Sequence, residues 1–171
     1  MGRALDQGHE DAVDFVDSVN LFLEYFGMNQ DRDRLTARAT AAAGELGSKS
    51  WVLAQSNAGE RLRQAGQPQE AKVIFEAMLA GLGEIVSYDR CTTLSRLGRC
   101  EGSMGQGAQA IVHHRQAIVE LGQLETSDGV KRQMGVTQTD LGDVLSDAGQ
   151  FREARQAYGG ITGDQARNWW R

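Results

Sequence analysis

Apolar residues in this chain fall at three- and four-residue intervals, the period of an α-helix with one buried face. The first stretch is typical: Phe15, Val19, Phe22, Leu23 and Phe26 form one stripe, and Gly27 follows it. The pattern predicts helices near 10–26, 30–46, 50–65, 68–84, 88–104, 107–123, 130–148 and 151–158. The single proline, Pro68, falls in the first turn of one of them, where its missing N–H is harmless. Leu124 to Gly129 is the longest linker, and Asp128 within it is placed to cap the next helix. Gly159-Gly160 breaks the last helix, and the tail Ile161 to Arg171 carries Trp169 and Trp170 on a short final helix.

The glycines recur with the helices. Three segments align without gaps: Asn57 to Met78, Arg96 to Ala117 and Asp140 to Ile161. Each has an early glycine (Gly59, Gly98, Gly142), then a second (Gly66, Gly105, Gly149), then alanine (Ala71, Ala110, Ala154), then a ring (Phe75, His114, Tyr158). Gly27 belongs to a fainter copy: Gly27 to Gly66 and Gly66 to Gly105 are 39 residues each, and Gly105 to Gly149 is 44. Gly44, Gly83 and Gly122 form a third series. The chain thus reads as one domain over 1–171 with four repeats, near 13–50 (degenerate), 51–89, 90–129 and 130–161, and a capping or tail segment over 162–171. The first glycine lets helix A of a repeat approach its own helix B. The second ends helix A, where a left-handed residue is needed. The alanine keeps helix B close, and the ring fills the space between repeats. Each helix pair then leaves an apolar face that stacking must cover.

The order Leu-Gly, Gly, Ala, ring resembles the tetratricopeptide (TPR) repeat. Leu97-Gly98 and Leu141-Gly142 match its first pair, Ala58-Gly59 is a milder version, and Gly-Gln-Phe-Arg-Glu-Ala at 149–154 is close to its turn and helix B start. The match spans roughly residues 51–161 clearly and 13–50 weakly. The period exceeds the usual one of about 34 residues, as in longer-repeat bacterial members and the kinesin light chain type. His114 and the lack of a closing proline depart from the pattern. The resemblance implies an all-α fold, an α-solenoid of stacked antiparallel helix hairpins in a right-handed superhelix.

It also implies a function. In this family the A helices line a concave groove that holds a peptide or helix of a partner protein, without catalysis. By register the groove residues are Leu53, Ser56, Glu60 and Arg63; Thr92, Ser95 and Arg99; Val136, Thr139, Asp143 and Ser146; and, in the degenerate repeat, Asp17, Leu21 and Glu24. The family's carboxylate clamp needs lysine and asparagine at such places, whereas Glu60 and Asp143 stand here, so a mixed-charge or basic segment fits better. Trp169 and Trp170 admit two readings. They close the open end of the solenoid, or they anchor a partner or a second copy of the chain.

Composition narrows the alternatives. The net charge is −5, with acids and bases interspersed and no basic run, so a nucleic-acid footprint is absent. No apolar stretch approaches the ~18 residues of a membrane span, and Met1 to Glu10 is too polar for a secretory signal. Two cysteines, Cys91 and Cys100, fit a reducing cytoplasm, and on one helix they point to opposite sides. His113 and His114 are adjacent, so they diverge on a helix and do not share a metal ion; His114 reads as a core or hydrogen-bonded ring. Gly102 to Gly107 is glycine-rich but lies between helices, not after a strand, and lacks the lysine-serine ending of a phosphate loop, so it reads as a turn. No cofactor, metal or catalytic set is expected.

Overall fold

The computed structural model describes residues 16, 19, 22, 23, 25–42 and 46–159. Among them the helices are α1 (Asn29–Ala42), α2 (Lys49–Gln64), α3 (Pro68–Leu82), α4 (Tyr88–Ser103), α5 (Gly107–Leu121), α6 (Asp128–Asp147) and α7 (Phe151–Gly159). From α1 onward the ends fall within a few residues of the periodicity. Most of the helix expected over 10–26, with Asp17, Leu21 and Glu24, lies outside the described residues, as do Gly44, Gly160, Trp169 and Trp170. No described helix is long and apolar enough to cross a membrane.

Local chemistry starts and stops these helices. Ser48 Oγ accepts from Trp51 N at 3.3 Å, Ser87 Oγ from Arg90 N at 3.2 Å and Ser127 Oγ from Val130 N at 3.2 Å. Each hydroxyl satisfies an N–H that the first turn of α2, α4 or α6 leaves without a partner. Asp128, expected as a cap, is instead the first helical residue of α6. Ser127 holds the extended backbone that a cap requires.

The helix ends are equally local. Gly66, Gly105 and Gly149 have φ of 77°, 73° and 74°. The next residue bonds back into the helix: Gln67 N to Leu62 O at 2.9 Å, Gln106 N to Glu101 O and Gln150 N to Leu145 O at 2.8 Å. Gly27 repeats the motif, with φ 67° and Met28 N bonded to Leu23 O at 2.8 Å. Only glycine holds this left-handed turn without strain.

The chain divides into two compact units between Leu82 and Gly83. In the first, α2 packs on α1 and on α3; in the second, α4 packs on α5, α5 on α6 and α6 on α7, and α6 also touches α4. The hairpins α2–α3, α4–α5 and α6–α7 close in the same way. A Cβ at Gly59 would stand 2.6 Å from Phe75 Cζ, one at Gly98 2.8 Å from His114 Nε2, and one at Gly142 2.6 Å from Tyr158 Cζ. The ring therefore sits inside its own hairpin, against the bare backbone of helix A. The expectation that it fills the space between repeats is corrected by this contact. Ala71, Ala110 and Ala154 are buried beside it. Contact between the second unit's two hairpins falls to Ile111, Leu141, Leu145 and Ala154, with Ile118, Val144 and Ala157 packed around them.

Candidate functional site

The residues expected to face a ligand form a stripe on each of α2, α4 and α6, because their spacing follows the helical period. The three stripes differ in what they leave open. On α4 the stripe is closed. Ser95 is only 1% exposed, and its Oγ accepts from Thr137 Oγ1 of α6 at 3.1 Å. Thr92 is buried as well and donates to Asp89 O at 2.9 Å. Both serve helix packing, and so does the buried Ser56 on α2. Arg99 is partly exposed and paired with Asp140 of α6, Nε to Oδ2 at 3.6 Å. Ser56, Thr92 and Ser95 cannot present side chains to a partner, and the candidate surface passes to the others.

On α2, Leu53, Glu60 and Arg63 are half-buried. Arg63 clasps Glu60 with two nitrogens, Nε to Oε2 at 3.1 Å and Nη2 to Oε1 at 2.6 Å. On α6 the stripe is most open: Thr139 and Asp143 are exposed, and Val136 and Ser146 half-buried. Thr139 Oγ1 turns back to Gly135 O at 2.9 Å. Asp143 Oδ1 accepts from the Tyr158 hydroxyl at 2.6 Å. That hydrogen bond, with burial and the charges of Asp143 and Asp147 adding to it, pushes the Tyr158 phenol up to about 12. Tyr158→Phe is expected to change stability by no more than about 1 kcal/mol, since the ring stays against Gly142 and a single exposed hydrogen bond contributes little. Hydrogen exchange across α6 and α7 would measure it.

Solved structures share this fold of helix hairpins. The chain matches a crystal structure of a single-substitution variant of nearly identical TPR-like repeats, from a candidate kinesin light chain of Podosopora anserina. The TM-score is 0.64 at 16% identity, covering 99% of this chain and 92% of that one. A second crystal structure of such repeats from the same organism matches with a TM-score of 0.62 at 17% identity, over 97% of this chain and 92% of that one. The fold is that of TPR-like repeats. No protein-family model and no curated protein matches the sequence.

The TPR-like hairpins also carry polar clusters that the repeat pattern did not announce. In the second unit Arg90 Nε donates to Glu120 Oε2 at 3.0 Å, Gln116 Nε2 donates to Glu120 Oε1 at 2.9 Å, and Arg90 also reaches Gly83 O. Trp51 and Gly81 stand 39 residues before Arg90 and Glu120. There a ring lies over a glycine instead, with a Cβ at Gly81 falling 2.9 Å from Trp51 Cη2. One hairpin position is thus closed by an ion pair in one copy and by an indole in the other, so repeat alignment could not reveal the pair. His113 Nδ1 meets Glu101 Oε2 at 2.6 Å, while His114 turns into the hairpin, so the two imidazoles diverge.

Among the described residues no group of three or more histidine, cysteine or acidic side chains is placed to hold a metal ion. Cys91 and Cys100 are buried and are not joined in a disulfide. Burial, then the Glu120 carboxylate, pushes the Cys91 thiol up to about 11. A thiolate is the reactive form. Cys91 is therefore expected to resist a disulfide reagent at pH 8 until the second unit is unfolded by denaturant, as a colorimetric thiol count would show.

Proposed function

We propose that the chain is a non-catalytic interaction module of the cytoplasm, an adaptor or scaffold that holds a peptide or helix of a partner protein on its A-helix faces. TPR-like repeats generally serve protein–protein interaction, because stacked hairpins present long faces of side chains held on rigid helices. The observation that carries the reading here is the open stripe on α6, where Thr139 and Asp143 are exposed between the half-buried Val136 and Ser146. A hydroxyl, a carboxylate and an apolar residue on one face suit a segment with a basic or hydrogen-bonding side chain and an apolar anchor. The test is site-specific photocrosslinking from Thr139 in the full chain, compared with the same group at the exposed Val73 of α3. A protein captured at Thr139 and not at Val73, and lost in Ser146→Lys, supports the reading. Equal capture from both positions rejects it.

A second reading is self-association. Phe151 on α7 is 70% exposed, so the last described hairpin carries an uncovered ring. Light scattering over a wide concentration range separates the two. A constant mass near 18.6 kDa excludes self-association, and a rise towards a dimer places it first.

A further inference from the structure

Phe75, His114 and Tyr158 hold the three hairpins closed, and one of these rings is a base. Phe75 carries no polar atom and needs no partner. Tyr158 sends its hydroxyl outward to Asp143. His114 has neither solution: its ring is 0% exposed, and both Nδ1 and Nε2 are buried without a hydrogen-bond partner. Its Cε1–Nε2 edge faces Gly98, where each atom would stand 2.8 Å from a Cβ. The backbone there is helical, so its carbonyl oxygens are committed to the turns of α4.

Burial and two of the charges around the ring oppose a proton, while the Glu101 carboxylate attracts one. From α4 come Arg99, which repels it, and Glu101; from α5 comes His113. Glu101 is 1% exposed, and its Oε2 is already taken by His113 Nδ1. Arg99 is itself paired with Asp140 of α6.

We propose that His114 makes the α4–α5 hairpin an acid-released lock: when the imidazole takes up a proton the ring leaves the Gly98 socket and this hairpin opens, while the α2–α3 hairpin, locked by Phe75, stays closed. Because α5 carries Ile111 into the cluster with Leu141 and Leu145, the opening also withdraws the support of α6. Burial first, then Arg99 and His113, hold the imidazole down to about 4 in the closed hairpin, against 6.5 for the ordinary group. The open form therefore binds the proton more tightly. Closure is at full strength above pH 6.5 and weakens as the pH falls from there towards 4. The opening equilibrium shifts by on the order of a hundredfold across that interval.

The test is residue-level hydrogen exchange on the full chain from neutral pH into the acid range, corrected for intrinsic exchange, on the wild type, His114→Phe and His114→Tyr. Glu101, His113, Arg90 and Glu120 are unchanged in both variants, so their own acid responses cancel in the comparison. The expected result is a loss of protection in α4 and α5 relative to α2 and α3 in the wild type, on the order of a hundredfold, that is absent from His114→Phe. The same acid loss in His114→Phe would overturn the proposal. Should neither variant fold, nuclear magnetic resonance titration of the wild-type ring decides. A ring that stays neutral while the hairpin is protected supports the lock, and one that titrates near its ordinary value inside a protected hairpin overturns it.

Discussion

Gly59→Ala is expected to destabilise the first unit by about 1 kcal/mol, although alanine is the better helix former. The added methyl would enter the Phe75 ring, 2.6 Å from Cζ. Phe75 is fully buried and has nowhere to move. Overpacking of this kind costs roughly 1–3 kcal/mol, and the gain in helix propensity returns roughly 1. The same change at Gly142 should cost much less, because Tyr158 is partly exposed and its ring can swing outward. Opening free energies from hydrogen exchange in α2–α3 and in α6–α7 would show the difference. Phe75→Leu added to Gly59→Ala should recover part of the loss, since it removes the atoms that the methyl strikes. Equal costs at Gly59 and Gly142 would mean that the ring contact does not set the penalty.

Arg90→Met should cost about 3 kcal/mol in the second unit. The pair it breaks is largely buried, with side-chain exposures of 13% for Arg90 and 11% for Glu120. Removing one partner of a buried pair leaves a charge without compensation, at roughly 3–5 kcal/mol. Gln116 keeps one hydrogen bond to Glu120, which puts the expected loss at the lower end of that range. Arg90→Met with Glu120→Leu should regain most of it, because an apolar pair of similar volume needs no counter-charge. Denaturant midpoints for the two single variants and the double variant close the cycle. A double variant as unstable as Arg90→Met alone would show that the arginine acts through its bond to Gly83 O rather than through Glu120.

How far the chain could be read before folding follows from the range over which each feature acts. Helix boundaries and turn glycines depend on a few adjacent residues, so period and glycine spacing were enough to place them. Ser48, Ser87 and Ser127 recur at 39 and 40 residues and announce the helix starts just as locally, yet beside Ser127 stands Asp128, an equally good cap residue. The glycine and ring positions were legible as a pair, while the side to which the ring turns depends on how the helices approach. The ligand stripe was least legible. Ser95 and Thr92 follow the same spacing as Thr139 and Val136, but α6 lies against α4 and Thr137 donates its hydroxyl to Ser95 Oγ. That contact joins residues 42 positions apart, beyond the reach of any local pattern.

The rings and their glycines have a further consequence for how the chain reaches this structure. Gly59 and Phe75, Gly98 and His114, and Gly142 and Tyr158 are each 16 residues apart. Short loops close in roughly tens of nanoseconds, and native contacts of low sequence separation go with fast folding. Each hairpin can assemble from one continuous stretch, with a serine starting the first helix, a glycine turning the chain and a ring meeting the backbone. A ribosome releases all of these parts of one hairpin before most of the next is made. Folding is therefore expected to advance hairpin by hairpin along the chain, with little delay for distant segments to meet.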